Sequence, residues 1–462
     1  LKKYDLIIVG AGPSAIFAAL ELVQNNWERI LIVEKGQDID KRYCPVRDGK
    51  PCPRCKVCAM LSGWGGAGAF SDGKLTLSPE VGGFLNRYIS ESKIRELIQY
   101  VDNIYQSFGA TSELHGTNEG EIQKIQDQAA RCDLKLISMP VRHLGTDHCG
   151  QILQNIKTLL NKKVDLAMNT EVQKILVRQG RVTGVETDKG EFAGDFVILA
   201  PGREGADWLG REVKRLQLSS SINPVDVGVR VEVPAPVMEH LTKVTYESKF
   251  IFHSKRFDDR VRTFCMNPYG EVVKEYFDGL FTVNGHSFKD RKTPYTNFAI
   301  LVSTTFTEPF KEPVAYGKYI ARLANILGEG VIVQRLGDLL AGRRSTPERI
   351  AKGIIKPTLE DATPGDLSFV LPYRYLADIL EMLEALDKIA PGVNSRHTLI
   401  YGVEVKFYSL QLKLTSGMET EVKNLFAVGD GAGVSRGLIQ ASASGVVAAR
   451  EILARCSPKK TS

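Results

Sequence analysis

The amino-acid sequence predicts an α/β chain: a Rossmann-like nucleotide-binding domain into which an α+β domain is inserted. Three stretches predict it. "YDLIIVGAGPSAIFAALELVQNNWERILIVEKG" reads as strand, glycine loop, helix and strand. "EVQKILVRQGRVTGVETDKGEFAGDFVILAPGR" reads as a meander of three short strands punctuated by Gly180, Gly184 and Gly190. "NLFAVGDGAGVSRGLIQASASGVVAAREILARC" reads as a strand, a Gly-Asp-Gly turn and a helix.

In the first stretch, Leu6 to Val9 form a short buried strand. Gly10, Gly12 and Ala15 occupy the three places of a dinucleotide fingerprint. The first glycine permits the tight turn, the second admits a pyrophosphate, and the third place needs a small residue for helix–strand packing. Pro13 follows the loop and a helix then runs from about Ser14 to Asn25, whose N-terminal N–H groups and dipole favour phosphate. Ile30 to Val33 form the next strand, which ends in Glu34 and Lys35. A carboxylate at Glu34 accepts ribose hydroxyls and repels a 2′-phosphate. FAD and NAD share the ADP half, so this unit alone leaves the choice between them open.

Next comes "CPVRDGKPCPRCKVCAMLSGWGGAGAFSDGKL", in which four cysteines precede a run of glycines. Cys52, Cys55 and Cys58 have two-residue gaps, with Cys44 upstream. That spacing is compatible with one iron–sulfur cluster. Zinc, a redox disulfide and plain thiols are the other readings, and the sequence leaves all of them open. Apolar residues at Ile94, Leu97, Ile98, Val101, Ile104 and Tyr105 mark a helix from Ser92 to Phe108; Glu119 to Cys132 is another. "HLGTD" places His143 and Asp147 together as candidates for positioning a substrate.

The middle of the chain opens with "NPVDVGVRVEVP", where valines alternate with Asp226, Gly228, Arg230 and Glu232, the pattern of a half-buried strand. Phe264 to Met266 and Glu271 to Val273 flank an "NPYG" turn, which predicts a hairpin carrying Cys265. Asn297 to Thr304 is a strand; Ala315 to Leu327 and Tyr373 to Ile389 are helices. In "VEVKFYS" the period of two puts Glu404, Lys406 and Tyr408 on one face. A carboxylate, an ammonium and a phenol there can bind a polar substrate and move its proton. Arg230, Arg343 and Arg344 are candidate anion anchors.

The totals exclude several classes. The 462 residues are 43% hydrophobic, enough for large cores, with a net charge of +6 and no long basic run, so nucleic acid is not an expected partner. No apolar run approaches the length of a membrane span. The basic start "LKKYDLIIVG" precedes an apolar run too short for a signal peptide. Eight clustered cysteines do not make a disulfide framework at this length, which favours a reducing, cytoplasmic setting.

The three opening stretches together resemble the FAD-binding domain of glutathione-reductase-type flavoproteins, a three-layer β-β-α architecture. The resemblance implies FAD as cofactor, held also by Gly429 and Asp430 after the late strand, with Asp430 on the ribitol chain. It implies that the late helix points Gly437, Leu438 and Ala441 at the flavin edge, and that Gly65, Gly66 and Ala67 cross the pyrophosphate, with Ser71 and Lys74 near the ring. Val172, Ala200 and Gly202 are further expected contacts. No second strand–GxGxxG–helix unit is present, so no dedicated NAD(P)H domain is expected. "GWGGAGAFSDGKL", "HLGTD", "FCMNPYGEVV", "NGHS" and "VEVKFYS", in that order, are similar to the uncharacterised FAD-dependent dehydrogenases, also called NAD(FAD)-utilizing dehydrogenases. That family often has cysteine where Asn267 stands.

These readings predict an FAD-binding domain at 1–85, 148–215 and 395–462, a helical insert at 86–147 and a substrate domain at 216–394. The expected activity is hydride transfer between flavin N5 and a small polar substrate, with a separate electron donor or acceptor. Lys406 or Tyr408 would be the acid–base group, Glu404 an orienting group and Cys265 a thiolate near the flavin. A flavin monooxygenase visited by NAD(P)H, and a noncatalytic or RNA-associated FAD protein, are the alternatives.

Overall fold

The computed structural model describes residues 2–45, 50, 53–145, 148–221, 223–277, 279–288, 291–304, 312–406 and 410–456. The chain forms two compact units: 1–113, 142–223 and 408–462 make the first; 114–141 and 224–407 make the second.

The first unit is built on parallel strands in the order Val164–Met168, Ile30–Glu34, Lys3–Val9, Gly190–Leu199, Leu425–Ala427. Leu6, Ile7 and Ile8 are fully buried, as a strand covered on both faces requires. The start of Gly190–Leu199 pairs antiparallel with Arg181–Thr187, which pairs with Val172–Arg178, so the meander grows from the parallel sheet. Helix Pro13–Gln24 packs against the late helix Leu438–Cys456 at backbone distance: a Cβ on Gly445 would stand 2.0 Å from the Ser14 carbonyl oxygen. Helix Glu91–Ser107 joins them through Tyr105, whose hydroxyl lies 3.2 Å from Ser442 Oγ. Arg142 fastens this helix to the next segment with two 2.7 Å bonds to a buried Asp102.

The second unit holds an eight-stranded sheet in the order Thr363–Pro364, Ile332–Arg335, Leu399–Lys406, Val225–Pro234, Tyr295–Thr304, Arg260–Asn267, Lys249–His253, Leu134–Ile137. Val225, Val227, Val229, Val231 and Val233 form one core with Met238, Leu241, Ile320, Ala324, Ile379 and Leu383 from covering helices. Among the described residues, no helix is long and apolar enough to cross a membrane.

Three expectations change here. The strand Val225–Pro234 is buried on both faces. Its polar residues face other polar residues: Arg262 donates to Asp226 at 2.6 Å, Arg230 is bound to Glu404, and Tyr401 and Thr358 donate to Glu232. The "NPYG" turn does not close a hairpin. Arg260–Asn267 pairs instead with Tyr295–Thr304 and Lys249–His253, while Glu271–Phe277 pairs with Leu280–His286. The boundaries also move. Leu399–Lys406 belongs to the second unit's sheet, between Val225–Pro234 and Ile332–Arg335, and the 86–147 segment is shared between the units. Strand partners distant in sequence decide both points, and local composition does not announce them.

Candidate functional site

In the first unit, three pieces of chain converge on the first glycine loop. Gly10 has φ +101°, and a Cβ there would lie 2.2 Å from the Ala200 carbonyl oxygen, so only glycine fits. Gly65 donates its N–H to the Ala11 carbonyl at 2.8 Å, and a Cβ on Gly66 would stand 3.1 Å from Gly12 Cα. A Cβ built on Gly12 itself meets nothing within 4 Å. The loop is thus crowded on its protein side and open at Gly12, where helix Pro13–Gln24 presents its first turn with Ser14 and Ala15 buried.

Glu34 ties the three pieces together. Its Oε2 accepts the Ala11 N–H at 2.9 Å; its Oε1 accepts Gly36 N–H at 2.8 Å and Gly63 N–H at 2.9 Å. The residue expected only as a ribose acceptor is therefore also the brace of the cradle. Arg42 plays the matching role for carbonyls: its guanidinium donates to the backbone oxygens of Ala59, Met60, Trp64 and Gly66 at 2.6–3.0 Å. Burial pushes Arg42 down to about 10, against the pull of Glu34 and Cys58. Sequence reasoning missed Arg42, because a lone arginine in a proline-rich loop carries no periodic signal.

The remaining expected cofactor contacts lie in the same unit. Ala200 donates its N–H to Val9 O at 2.8 Å, and Gly202, at φ +63°, has open space where a Cβ would stand. Val172 is buried. Gly429 donates to Ser444 Oγ at 3.0 Å, which fixes the late turn against helix Leu438–Cys456. Asp430 accepts from Ser435 Oγ at 2.6 Å, with Arg203 Nε at 3.6 Å. Burial lifts its carboxyl above the ordinary value, while Arg203, Ser435 and Arg436 pull the other way. Ala441 donates to the Gly437 carbonyl at 2.9 Å at the head of this helix, and Leu438 is its first residue. Lys35 pairs with Glu204 at 2.9 Å, and Lys74 with Asp72 at 2.9 Å. Ser71 Oγ donates to Gly68 O and accepts the Gly73 N–H, so it braces its own turn. Ala67 lies in the 3-10 turn Gly66–Phe70.

Cys44 is buried, Cys55 exposed and Cys58 half-buried; Cys52 lies outside the described residues. Among the described residues, no three His, Cys, Asp or Glu side chains gather to hold a metal ion. His143 is buried on the strand Val141–His143, and Asp147 lies outside the described residues.

The second unit contains a buried polar cluster centred on Arg230. Its Nε and Nη2 donate to Glu404 at 2.8 and 3.1 Å, and its Nη1 to the Cys265 carbonyl at 3.0 Å and Asn297 Oδ1 at 2.8 Å. Lys406 Nζ stands 2.9 Å from Glu404 Oε1, with its side chain 8% exposed. Glu404 and Lys406 therefore share a face as the period of two required, but the face is not solvated. Burial works against the Arg230 charge, yet Glu404 and Cys265 outweigh it and hold the guanidinium above its usual range. Cys265 has φ +45° in a strand irregularity between Phe264 and Asn267, and its N–H donates to Glu247 at 3.1 Å. Asn267 donates to the Cys265 carbonyl at 3.0 Å, so this position supports the bulge. Gly285 completes the cluster: a Cβ there would lie 2.1 Å from Asn297 Oδ1 and 2.2 Å from Arg230 Nη1. Tyr408 lies outside the described residues. Arg343 is paired with Asp338 at 3.0 Å, and Arg344 is exposed.

Comparison with known proteins adds three findings. Residues 224–407 match the family model described as FAD-dependent protein, C-terminal domain-like. A protein of Clostridium beijerinckii, described as uncharacterized, is 25% identical over 473 aligned residues, covering 97% of this chain and 80% of its own. Among solved structures, L-proline dehydrogenase from P. horikoshii aligns with 99% of this chain and 95% of its own at 11% identity and a TM-score of 0.41. Glycine oxidase from Geobacillus kaustophilus aligns with 99% and 96% at 14% identity and a TM-score of 0.41.

Proposed function

We propose that this chain, whose residues 224–407 match an FAD-dependent protein domain, is an FAD-dependent oxidoreductase acting on a small polar substrate. The observation that carries the reading is the space at Gly12. The loop around it excludes a Cβ at Gly10 and crowds one at Gly66, yet leaves the position that must face a pyrophosphate open. The first turn of helix Pro13–Gln24 would take the pyrophosphate, Glu34 the adenosine ribose through the lone pair left on Oε2, and Asp430 the ribitol chain. FAD supplies two-electron redox chemistry when bound.

The chain's own contribution to proton handling is assigned to Lys406. Its Nζ holds a proton against Glu404 Oε1, and Arg230 fixes that carboxylate from the other side. A lysine so positioned donates or accepts a proton at a defined place instead of sampling many rotamers. Arg230, saturated by its partners, positions Glu404 and does not touch substrate.

Gly12→Ala tests the cofactor assignment. Gly12 has φ −80°, which alanine adopts without strain, and its Cβ would meet no protein atom. The variant should fold with an unchanged thermal midpoint when free of cofactor, yet hold FAD at least ten times more weakly. Wild-type protein that comes out colourless and takes up no added FAD would overturn the reading. For the second unit, Lys406→Met should retain FAD while anaerobic flavin reduction or reoxidation by substrate falls about 10²–10⁴-fold, the usual range for general acid–base catalysis. Equal half-reaction rates would remove Lys406 from the mechanism.

A further inference from the structure

We propose that a small apolar cavity under the Gly65–Gly68 loop of the first unit is a binding site for molecular oxygen. The role of that oxygen as electron acceptor rests on the oxidoreductase reading above; the gas site itself does not. The cavity measures about 20 Å³, room for one molecule the size of water and too little for any ring of the cofactor. Cys149, Ile152 and Leu153 of helix Cys149–Leu160 form its floor, and Tyr105 and Leu144 wall it. All five are buried, whereas Pro13, Gly68 and Leu438 are half-buried, so the cavity opens between these three. Two glycines keep it from being filled. A Cβ on Gly65 would stand 2.4 Å from Leu153 Cδ1, and one on Gly68 would stand 2.8 Å from Leu438 Cδ2.

The polar groups around the cavity are engaged elsewhere. The Tyr105 hydroxyl lies 3.2 Å from Ser442 Oγ, and the Leu153 carbonyl accepts the Trp64 indole N–H at 3.1 Å. Gly65 donates its N–H to Ala11 O at 2.8 Å, and the Gly68 carbonyl accepts Ser71 Oγ at 3.0 Å. The Cys149 thiol stands 3.9 Å from the Ser71 carbonyl oxygen. A water settles in such a space only with about two to four polar partners, whereas a dry apolar cavity takes up apolar gases. Dioxygen is an apolar gas that also takes electrons from a reduced flavin.

The mouth suits that chemistry. Pro13 and Leu438 are the first residues of helices Pro13–Gln24 and Leu438–Cys456, and neither helix has an acid in its first turn. Their positive ends flank the opening and favour the negative charge that oxygen acquires on reduction. Two electrons and two protons pass to dioxygen, which leaves as hydrogen peroxide, and the cofactor returns to its oxidised form.

Diffraction from crystals of the full chain under xenon pressure, and methyl NMR spectra under dissolved oxygen, test the site. Xenon should occupy the space between Ile152 and Leu438. Oxygen should broaden the methyl signals of Leu144, Ile152, Leu153 and Leu438 more than those of other buried leucines and isoleucines in the same unit. Ile152→Phe should fill the cavity and abolish both effects. Ile152→Ala should enlarge it and raise xenon occupancy, which keeps the test decisive if the Phe variant does not fold. A cavity without xenon in both the wild type and Ile152→Ala, or uniform methyl broadening, would overturn the proposal. Stopped-flow mixing of dithionite-reduced, FAD-loaded protein with oxygen tests the acceptor role. Peroxide should form in step with flavin oxidation, about tenfold or more slowly in Ile152→Phe and faster in Ile152→Ala; a rate indifferent to both variants would remove oxygen as the acceptor served by this cavity. Xenon bound as expected in a protein that takes up no FAD would leave the gas site standing and remove the oxidoreductase reading.

Discussion

Glu404 lies between two cations: Arg230 grips both its oxygens at 2.8 and 3.1 Å, and Lys406 stands 2.9 Å from one of them, with neither the Arg230 nor the Glu404 side chain exposed. The three charges are unequal in what their loss leaves behind. Glu404→Gln strips the acid that both buried cations contact, and breaking a buried pair in this way costs about 3–5 kcal/mol. Lys406→Met leaves the Arg230–Glu404 pair whole and should cost less, on the order of 1 kcal/mol. Urea unfolding of the two variants measures the difference. If Lys406→Met proved as damaging as Glu404→Gln, the cluster would not be organised around the carboxylate.

The contact between Gly445 and Ser14 sets the spacing of the two helices that flank the glycine loop. A Cβ on Gly445 would stand 2.0 Å from the Ser14 carbonyl oxygen and 3.1 Å from Ala18 N, both backbone atoms that cannot swing away. Gly445→Ala must therefore push the helices apart, and overpacking of this kind costs about 1–3 kcal/mol. Ser14 moves with its helix, so FAD affinity should fall together with the melting temperature. Loss of stability with unchanged FAD affinity would show that the helix start is not part of the cofactor cradle.

What was legible in the sequence was local. The strand ending at Val9, the turn at Gly10 and Gly12, the helix after it and the acid at Glu34 follow one another within a short stretch, and each has a signature that needs no distant partner. The three strands of the meander were equally plain from Gly180, Gly184 and Gly190. The polar residues of Val225–Pro234 were visible too, but alternation reports only that Asp226, Arg230 and Glu232 turn away from the valines. It does not tell water from a buried partner, and here the partners are Arg262, Glu404, Tyr401 and Thr358, distant in sequence. The same limit hid the sheet membership of Leu399–Lys406, whose neighbours are Val225–Pro234 and Ile332–Arg335. Arg42 was invisible for another reason: its work is to donate to carbonyls, and any residue type supplies those.

The second unit also carries a pH dependence that does not involve the polar cluster. Asp378, on helix Tyr373–Asp387, has its carboxyl pushed up to about 6, chiefly by burial, with Asp259 adding to the shift and Ser254 and Arg374 opposing it. Asp259 is the ionised member of the two, held below its ordinary value by Arg374, which bonds to it at 2.7 Å. The native state therefore binds the Asp378 proton more tightly than the unfolded chain, whose carboxyl titrates near 3.9. Its contribution to stability is complete below that value and is lost as pH rises through about 6. Asp378→Asn keeps the shape and removes the charge, so the variant should be more stable than the wild type above pH about 6 and lose that advantage toward pH about 4. Urea midpoints collected across this window separate the outcomes: parallel pH profiles for the two proteins would mean that Asp378 ionises as freely in the native state as in the unfolded one.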